Sequence, residues 1–191
     1  MEPLLVSTGV VAVAEIGDKT QLLALILAAR YRKPIPIILG ILVATLANHS
    51  LAAGLGAMAA GWLGPIMLRW ILGIGFVAMA FWCLIPDKAD DGPTTKATAG
   101  AFIATLVAFF LVEIGDKTQI ATVALAARFH SLVLVTAGTT LGMMLANVPA
   151  TLCGDGIARV APLRLIRILA AILFVVLGAM TLLRFDFGLL G

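Results

Sequence analysis

Charge is scarce in this sequence. Asp, Glu, Lys and Arg make up 12% of its 191 residues, against roughly 25% in soluble domains. With 62% hydrophobic residues and a mean hydropathy of +1.12, the chain has too little polar material to cover a water-soluble fold of this size, so its solvent is lipid. Cysteine is nearly absent: Cys83 and Cys153 both lie in or beside apolar stretches and read as core residues. Two histidines form no metal-binding spacing, and a single tyrosine leaves little aromatic lining for a large organic substrate. No Lys/Arg run interleaved with aromatics points to nucleic acid, and the formal net charge is only +3. The first residues, Met1-Glu2-Pro3, lead straight into Leu4-Leu5-Val6 without the basic start and cleavage site of a signal peptide, so the first apolar stretch is expected to stay in the mature chain. Strand-like alternation is also missing.

What is present is six apolar stretches of spanning length, at roughly 4–29, 35–60, 66–85, 99–127, 132–152 and 165–184. Arg30-Tyr31-Arg32-Lys33-Pro34 closes the first, Gly61 to Pro65 separates the second from the third, Arg128-Phe129-His130 closes the fourth, and Gly154 to Arg164 precedes the sixth. Pro86 to Lys96 is the one polar linker. The expected fold is all-α and integral to the membrane: a three-helix unit at 1–86, a cytoplasmic linker at 87–98 and a second three-helix unit at 99–191.

The two units repeat one another. Glu15-Ile16-Gly17-Asp18-Lys19-Thr20-Gln21 recurs letter for letter as Glu113-Ile114-Gly115-Asp116-Lys117-Thr118-Gln119. Ala28-Ala29-Arg30 matches Ala126-Ala127-Arg128, Gly40 matches Gly138, and Arg69 matches Arg167; with one inserted residue, Leu46-Ala47-Asn48 matches Leu145-Ala146-Asn147. Seven identical residues, most of them polar, are no accident of apolar composition. An odd number of spans per unit means that the second unit starts from the opposite side of the bilayer, which gives inverted repeats of the kind that surround a midplane site in secondary transporters. Arg30, Arg32, Lys33, Lys88, Lys96, Arg159, Arg164 and Arg167 collect on one side, and only Arg69, Arg128 and Arg184 on the other. The positive-inside rule then puts the linker in the cytoplasm and both termini outside.

The motif lies deep. Glu15 follows Leu4 by 11 residues, about 17 Å along a helix and close to the middle of a ~30 Å hydrocarbon core. Glu113 lies at a similar depth after Ala99. Ionised groups there cost from ~3 to more than ~10 kcal/mol if they face lipid, so they must face one another, a cavity or an ion. On a helix, Glu15, Asp18 and Lys19 share one face, and Lys19 pairs either with Glu15 one turn away or with an acid of the other repeat. Gly17 loosens the helix and permits close approach or a break. Each motif carries a formal charge of −1, so one divalent cation or two protons would neutralise the pair. Carboxylates, Thr20, Thr118, Gln21, Gln119, Asn48 and Asn147 offer oxygens, which suit hard cations such as Ca²⁺, Mg²⁺ and Mn²⁺.

Other polar residues have plainer readings. Asn48 and Asn147 are as well explained by interhelical hydrogen bonds as by ligation. His49 reads as a helix-contact residue, because the matching position holds Val148 and the pattern is otherwise symmetric. Met143 and Met144 read as packing. Asp155 reads as a loop residue.

Paired Glu-φ-Gly-Asp-[Lys/Arg]-[Ser/Thr] motifs on the first and fourth of six spans resemble the Gdt family of Golgi and bacterial manganese and calcium transporters, within the cation/calcium exchanger grouping. The resemblance covers essentially the whole chain. It implies export of a divalent cation, Mn²⁺ or else Ca²⁺, in exchange for H⁺ or Na⁺. It also implies that Glu15, Asp18, Glu113 and Asp116 are cation ligands, supported by Thr20 and Thr118; Lys19, Gln21, Asn48, Lys117, Gln119 and Asn147 stand around them. The short linker resembles prokaryotic members, which implies a bacterial plasma membrane. No enzyme activity and no permanently bound cofactor are expected, the metal being cargo, and the chain would act as a monomer or homo-oligomer. The rivals are a small organic-solute exporter, a channel, an intramembrane enzyme and a purely structural subunit. They lack, in turn, an aromatic-lined cavity, a continuous polar pore, a nucleophile–base pair, and any account of the doubled motif.

Overall fold

A computed structural model of the chain describes residues 1–85, 100–153 and 163–183. The linker at 87–98, Asp155 and Arg184 lie outside the described residues. The described residues form helices and no strand: α1 (Glu2–Glu15), α2 (Lys19–Tyr31), α3 (Pro34–Trp62), α4 (Pro65–Leu84), α5 (Ala101–Glu113), α6 (Lys117–Phe129), α7 (Leu132–Cys153) and α8 (Leu163–Leu183). The helices α3, α4, α7 and α8 are long and apolar enough to cross a membrane. Large apolar side chains such as Trp62, Val133, Ile35 and Phe81 point outward, which suits a multi-pass helical protein dissolved in lipid.

The first and fourth expected spans are not continuous helices. Each is cut at its motif, into α1 and α2 and into α5 and α6. The cause is local and the same in both copies. After Glu15 the chain turns extended at Ile16, passes through a left-handed Gly17 at φ 80°, and restarts behind Asp18. After Glu113 it does the same through Ile114, Gly115 at φ 76° and Asp116. Only glycine adopts that conformation without strain. An aspartate at the start of a helix is also well placed for the positive end of its dipole. At the far ends, α2 and α6 stop on left-handed Arg32 and His130, and Pro34 then opens α3.

Packing exchanges the halves. The helix α1 lies along α7, and α5 lies along α3, so the first piece of each half leans on the long helix of the other. Glycines make these approaches close. A Cβ on Gly138 would meet the Leu4 carbonyl oxygen at 2.5 Å, and one on Gly40 would meet Thr105 Cβ at 2.8 Å. The helix α6 also packs along α3 where Gly56 faces the Val123 carbonyl. The third helices, α4 and α8, form a pair of their own, with Phe76 and Phe174 stacked at 6.3 Å between ring centroids. The exchange brings the buried acids of the two helix breaks together.

Candidate cation site

Both breaks expose main-chain groups that a continuous helix would have satisfied, and the last residue of each motif caps them. Gly17 N–H donates to Gln21 Oε1 at 2.8 Å, and Gly115 N–H donates to Gln119 Oε1 at 2.7 Å. The glutamine carbonyls are thus engaged at the breaks, supporting the backbone. Gln21 also donates from Nε2 to Ala146 O on α7 at 3.1 Å.

The four acids are buried: Glu15 and Asp18 are 0% exposed, Glu113 and Asp116 2%. Of the two pairings open to each lysine, the fold takes the one between halves. Lys19 Nζ lies 2.9 Å from Asp116 Oδ1, and Lys117 Nζ lies 2.7 Å from Asp18 Oδ1. A continuous helix would have offered Lys19 to Glu15 one turn away. The break separates them and turns each ammonium toward the opposite motif. One carboxylate oxygen from each of Glu15, Asp18 and Asp116 lies within 4.8 Å of the other two, a spacing that a metal ion could bridge.

The glutamates are each held by one oxygen. Glu15 Oε1 is 3.4 Å from Asn147 Nδ2, whose amide also reaches the carbonyl oxygen and sulfur of buried Met143. Glu113 Oε1 accepts from Thr118 Oγ1 at 2.5 Å, and Asp116 Oδ2 lies 3.3 Å from the same hydroxyl. The second oxygens, Glu15 Oε2 and Glu113 Oε2, are buried without a hydrogen-bond partner, as are Thr20 Oγ1 and Asn147 Oδ1. Buried oxygens in that condition cost about 1–3 kcal/mol each unless an ion, proton or water meets them. Every unmatched atom in this set can accept, which is what a cation needs. Four carboxylates against two ammoniums leave a formal charge of −2 at the centre.

Of the sequence-predicted residues, Glu15, Asp18 and Asp116 share the cluster, Lys19 and Lys117 pair with its acids, Asn147 reaches Glu15, and Glu113 joins Asp116 through the Thr118 hydroxyl, whereas Gln21 and Gln119 cap the breaks. Asn48 does not face the acids: its Nδ2 donates to Phe110 O at 3.0 Å and ties α3 to the backbone of α5. The next residue takes that place. His49, 0% exposed, has its Nε2 3.3 Å from Glu113 Oε1. The symmetry of the repeat argued for a plain packing role, because Val148 stands at the matching position. The signal that could have found it was its place beside Asn48 in the middle of an otherwise apolar 29-residue helix.

The model of the divalent cation/proton antiporter GDT1 family matches residues 3–91 and 101–186. A protein of Vibrio cholerae serotype O1, described as a candidate manganese exporter, is 55% identical over 182 residues, which span 95% of this chain and 90% of that protein. No solved structure matches the chain.

Proposed function

The chain belongs to the GDT1 divalent cation/proton antiporter family, and on that footing we propose that it exports Mn²⁺ from the cytoplasm in exchange for protons, with Glu15, Asp18, Glu113 and Asp116 as the cation ligands. The observation that carries this reading is the crossed pair of ion bridges, Lys19–Asp116 and Lys117–Asp18, which draws two copies of one acidic motif into a single buried cluster. The name of the 55% identical relative supports manganese, and the oxygen-rich donor set supports a hard divalent cation.

In this reading the chain crosses the bilayer six times. Each broken pair, α1 with α2 and α5 with α6, makes one crossing, and α3, α4, α7 and α8 make the others. Three crossings per half invert the second half relative to the first, and each half-helix break sits near the midplane. The linker faces the cytoplasm of a bacterial plasma membrane and both termini face outward. Cation enters from the cytoplasm, the halves rock about the breaks, and protons take the carboxylates on the far side. A carboxylate that holds a proton binds metal poorly, so competition couples the two flows. With a formal −2 at the centre, one divalent cation exchanges for two protons and the cycle is electroneutral. Lys19 and Lys117 keep the halves in register.

Proteoliposomes with a defined pH gradient test this. Mn²⁺ and Ca²⁺ are offered in parallel to wild type, Asp18→Asn and Asp116→Asn. Gradient-driven Mn²⁺ movement that each substitution lowers by at least about a hundredfold, ~2.7 kcal/mol of lost stabilisation, is the expected result. Undiminished movement in both variants would remove the motif from the mechanism. Transport that generates a large membrane potential would overturn the two-proton stoichiometry, and Ca²⁺ movement without Mn²⁺ would change the substrate.

A further inference from the structure

The duplicated motif meets two unlike partners on the long helices, and that difference has a chemical consequence. On one side, Glu15 Oε1 has a single long contact, 3.4 Å, from Asn147 on α7. On the other side, Glu113 Oε1 receives Thr118 Oγ1 at 2.5 Å and His49 Nε2 at 3.3 Å. Toward an ionised carboxylate a ring nitrogen can only donate, so it is a hydrogen on Nε2 that holds Glu113, while Nδ1 is buried without a partner. Val148, at the position matching His49, has no hydrogen to donate.

We infer that His49 is a positioning residue that sets which divalent cation the site prefers: by holding Glu113 Oε1 it leaves that carboxylate a single free oxygen, and so favours a compact six-coordinate cation over Ca²⁺. The inference rests on the transport reading above and goes beyond it in naming the residue that discriminates. Glu113 Oε2 is the oxygen left over, buried and without a hydrogen-bond partner. To chelate a metal with both oxygens, Glu113 must abandon Thr118 and His49, and the imidazole would then be buried with neither nitrogen matched. Loss of a buried partner carries a penalty in addition to the lost bond. Ca²⁺ collects 6–8 oxygens at 2.3–2.6 Å and gains from two-oxygen carboxylates, whereas smaller octahedral cations take fewer, shorter bonds. A carboxylate pinned at one oxygen therefore penalises Ca²⁺ more than Mn²⁺. Glu15, with only Asn147 on its bound oxygen, is the looser of the two arms.

The test is the ratio of Ca²⁺ to Mn²⁺ uptake into proteoliposomes that contain the full chain, as wild type, His49→Val, His49→Gln and Thr118→Val. His49→Val copies the residue of the opposite half, His49→Gln keeps a donor, and Thr118→Val removes the other donor to the same oxygen. The expected result is a Ca²⁺:Mn²⁺ ratio raised about tenfold in His49→Val, or ~1.4 kcal/mol. Thr118→Val shifts the ratio the same way, and His49→Gln keeps it near wild type. Parallel loss of both ions at a constant ratio, in either donor-removing variant, would mean that the residue only packs and would overturn the inference. So would a shift in His49→Gln as large as that in His49→Val. A wild type that moves neither ion would instead overturn the transport reading, and this inference with it, which separates the two failures.

Discussion

Gly17 and Gly115 sit at φ 80° and 76°, their N–H groups meet Gln21 and Gln119 at 2.8 and 2.7 Å, and the lysines beyond them reach across at 2.9 and 2.7 Å. Over seven residues the two breaks are the same object. Their surroundings are not. The Lys117 side chain is 5% exposed and Lys19 29%. Ile16 is half-buried, while Ile114 is 55% exposed. Glu15 meets an amide, and Glu113 meets an imidazole and a hydroxyl. The lesson is a division of labour. The motif determines its own backbone through short-range sterics and capping, and the opposite half's long helix determines what the carboxylates feel. Two identical sequences can thus sit in two unlike environments.

Unequal arms should respond unequally when the same residue is changed in each. The largest contrast concerns the crossed bridges. Asp18→Asn removes the bridge to Lys117 in a nearly sealed environment, where losing a buried ion pair costs up to about 3–5 kcal/mol. Asp116→Asn removes the bridge to Lys19, whose partial exposure keeps water within reach, so the loss is smaller. Thermal unfolding of the purified variants in detergent reads the difference, and equal losses would mean that the two environments are equivalent after all.

Next come the close helix approaches that hold each break against the opposite half. Gly138→Ala drives a methyl into the Leu4 carbonyl, so the α1 backbone itself must move; Gly40→Ala meets Thr105 Cβ first, with the Phe102 carbonyl 2.9 Å away. Both overpack by about 1–3 kcal/mol, with the larger loss at Gly138. Chemical denaturation in mixed micelles checks the order, and a larger loss at Gly40 would reverse the assignment of the stiffer contact.

The smallest contrast lies at the caps. Gln21→Ala loses two hydrogen bonds, to Gly17 N and Ala146 O, at a buried site, and should cost about 1–3 kcal/mol. Gln119→Ala loses one exposed bond, to Gly115 N, and should cost at most ~1 kcal/mol. Amide hydrogen exchange, read as the acceleration over wild type, should show the same order; a larger acceleration at Gly17 than at Gly115 in the respective variants sharpens the comparison, and the reverse breaks it.

Much of the helix plan was legible in advance. Six apolar stretches, the doubled motif and the burial of its acids all follow from hydropathy, an exact repeat and the cost of charge in lipid. The breaks were half legible. Gly17 signals a loosening or a break, yet hydropathy gives single spans at 4–29 and 99–127, because it is blind to one left-handed glycine. With a continuous helix assumed, Lys19 had two candidate partners, and sequence gave no ground to choose. The exchange of Asn48 for His49 was hidden by the symmetry that made the repeat visible. Position matching expects the same residue to do the same work, whereas a helix residue's reach is decided by rotation about its axis, at about 100° per residue, and by what packs opposite.

By itself, then, the sequence determined the solvent, the repeat and the backbone of each motif, since these rest on transfer energies and on sterics within a few residues. The tertiary structure alone decided the crossed lysine bridges and the unlike partners of Glu15 and Glu113. Those depend on how the two motifs meet and on where α3 and α7 present their side chains to the other half, and that is set by packing across residues more than 60 positions apart, a distance over which no local pattern in the chain carries information.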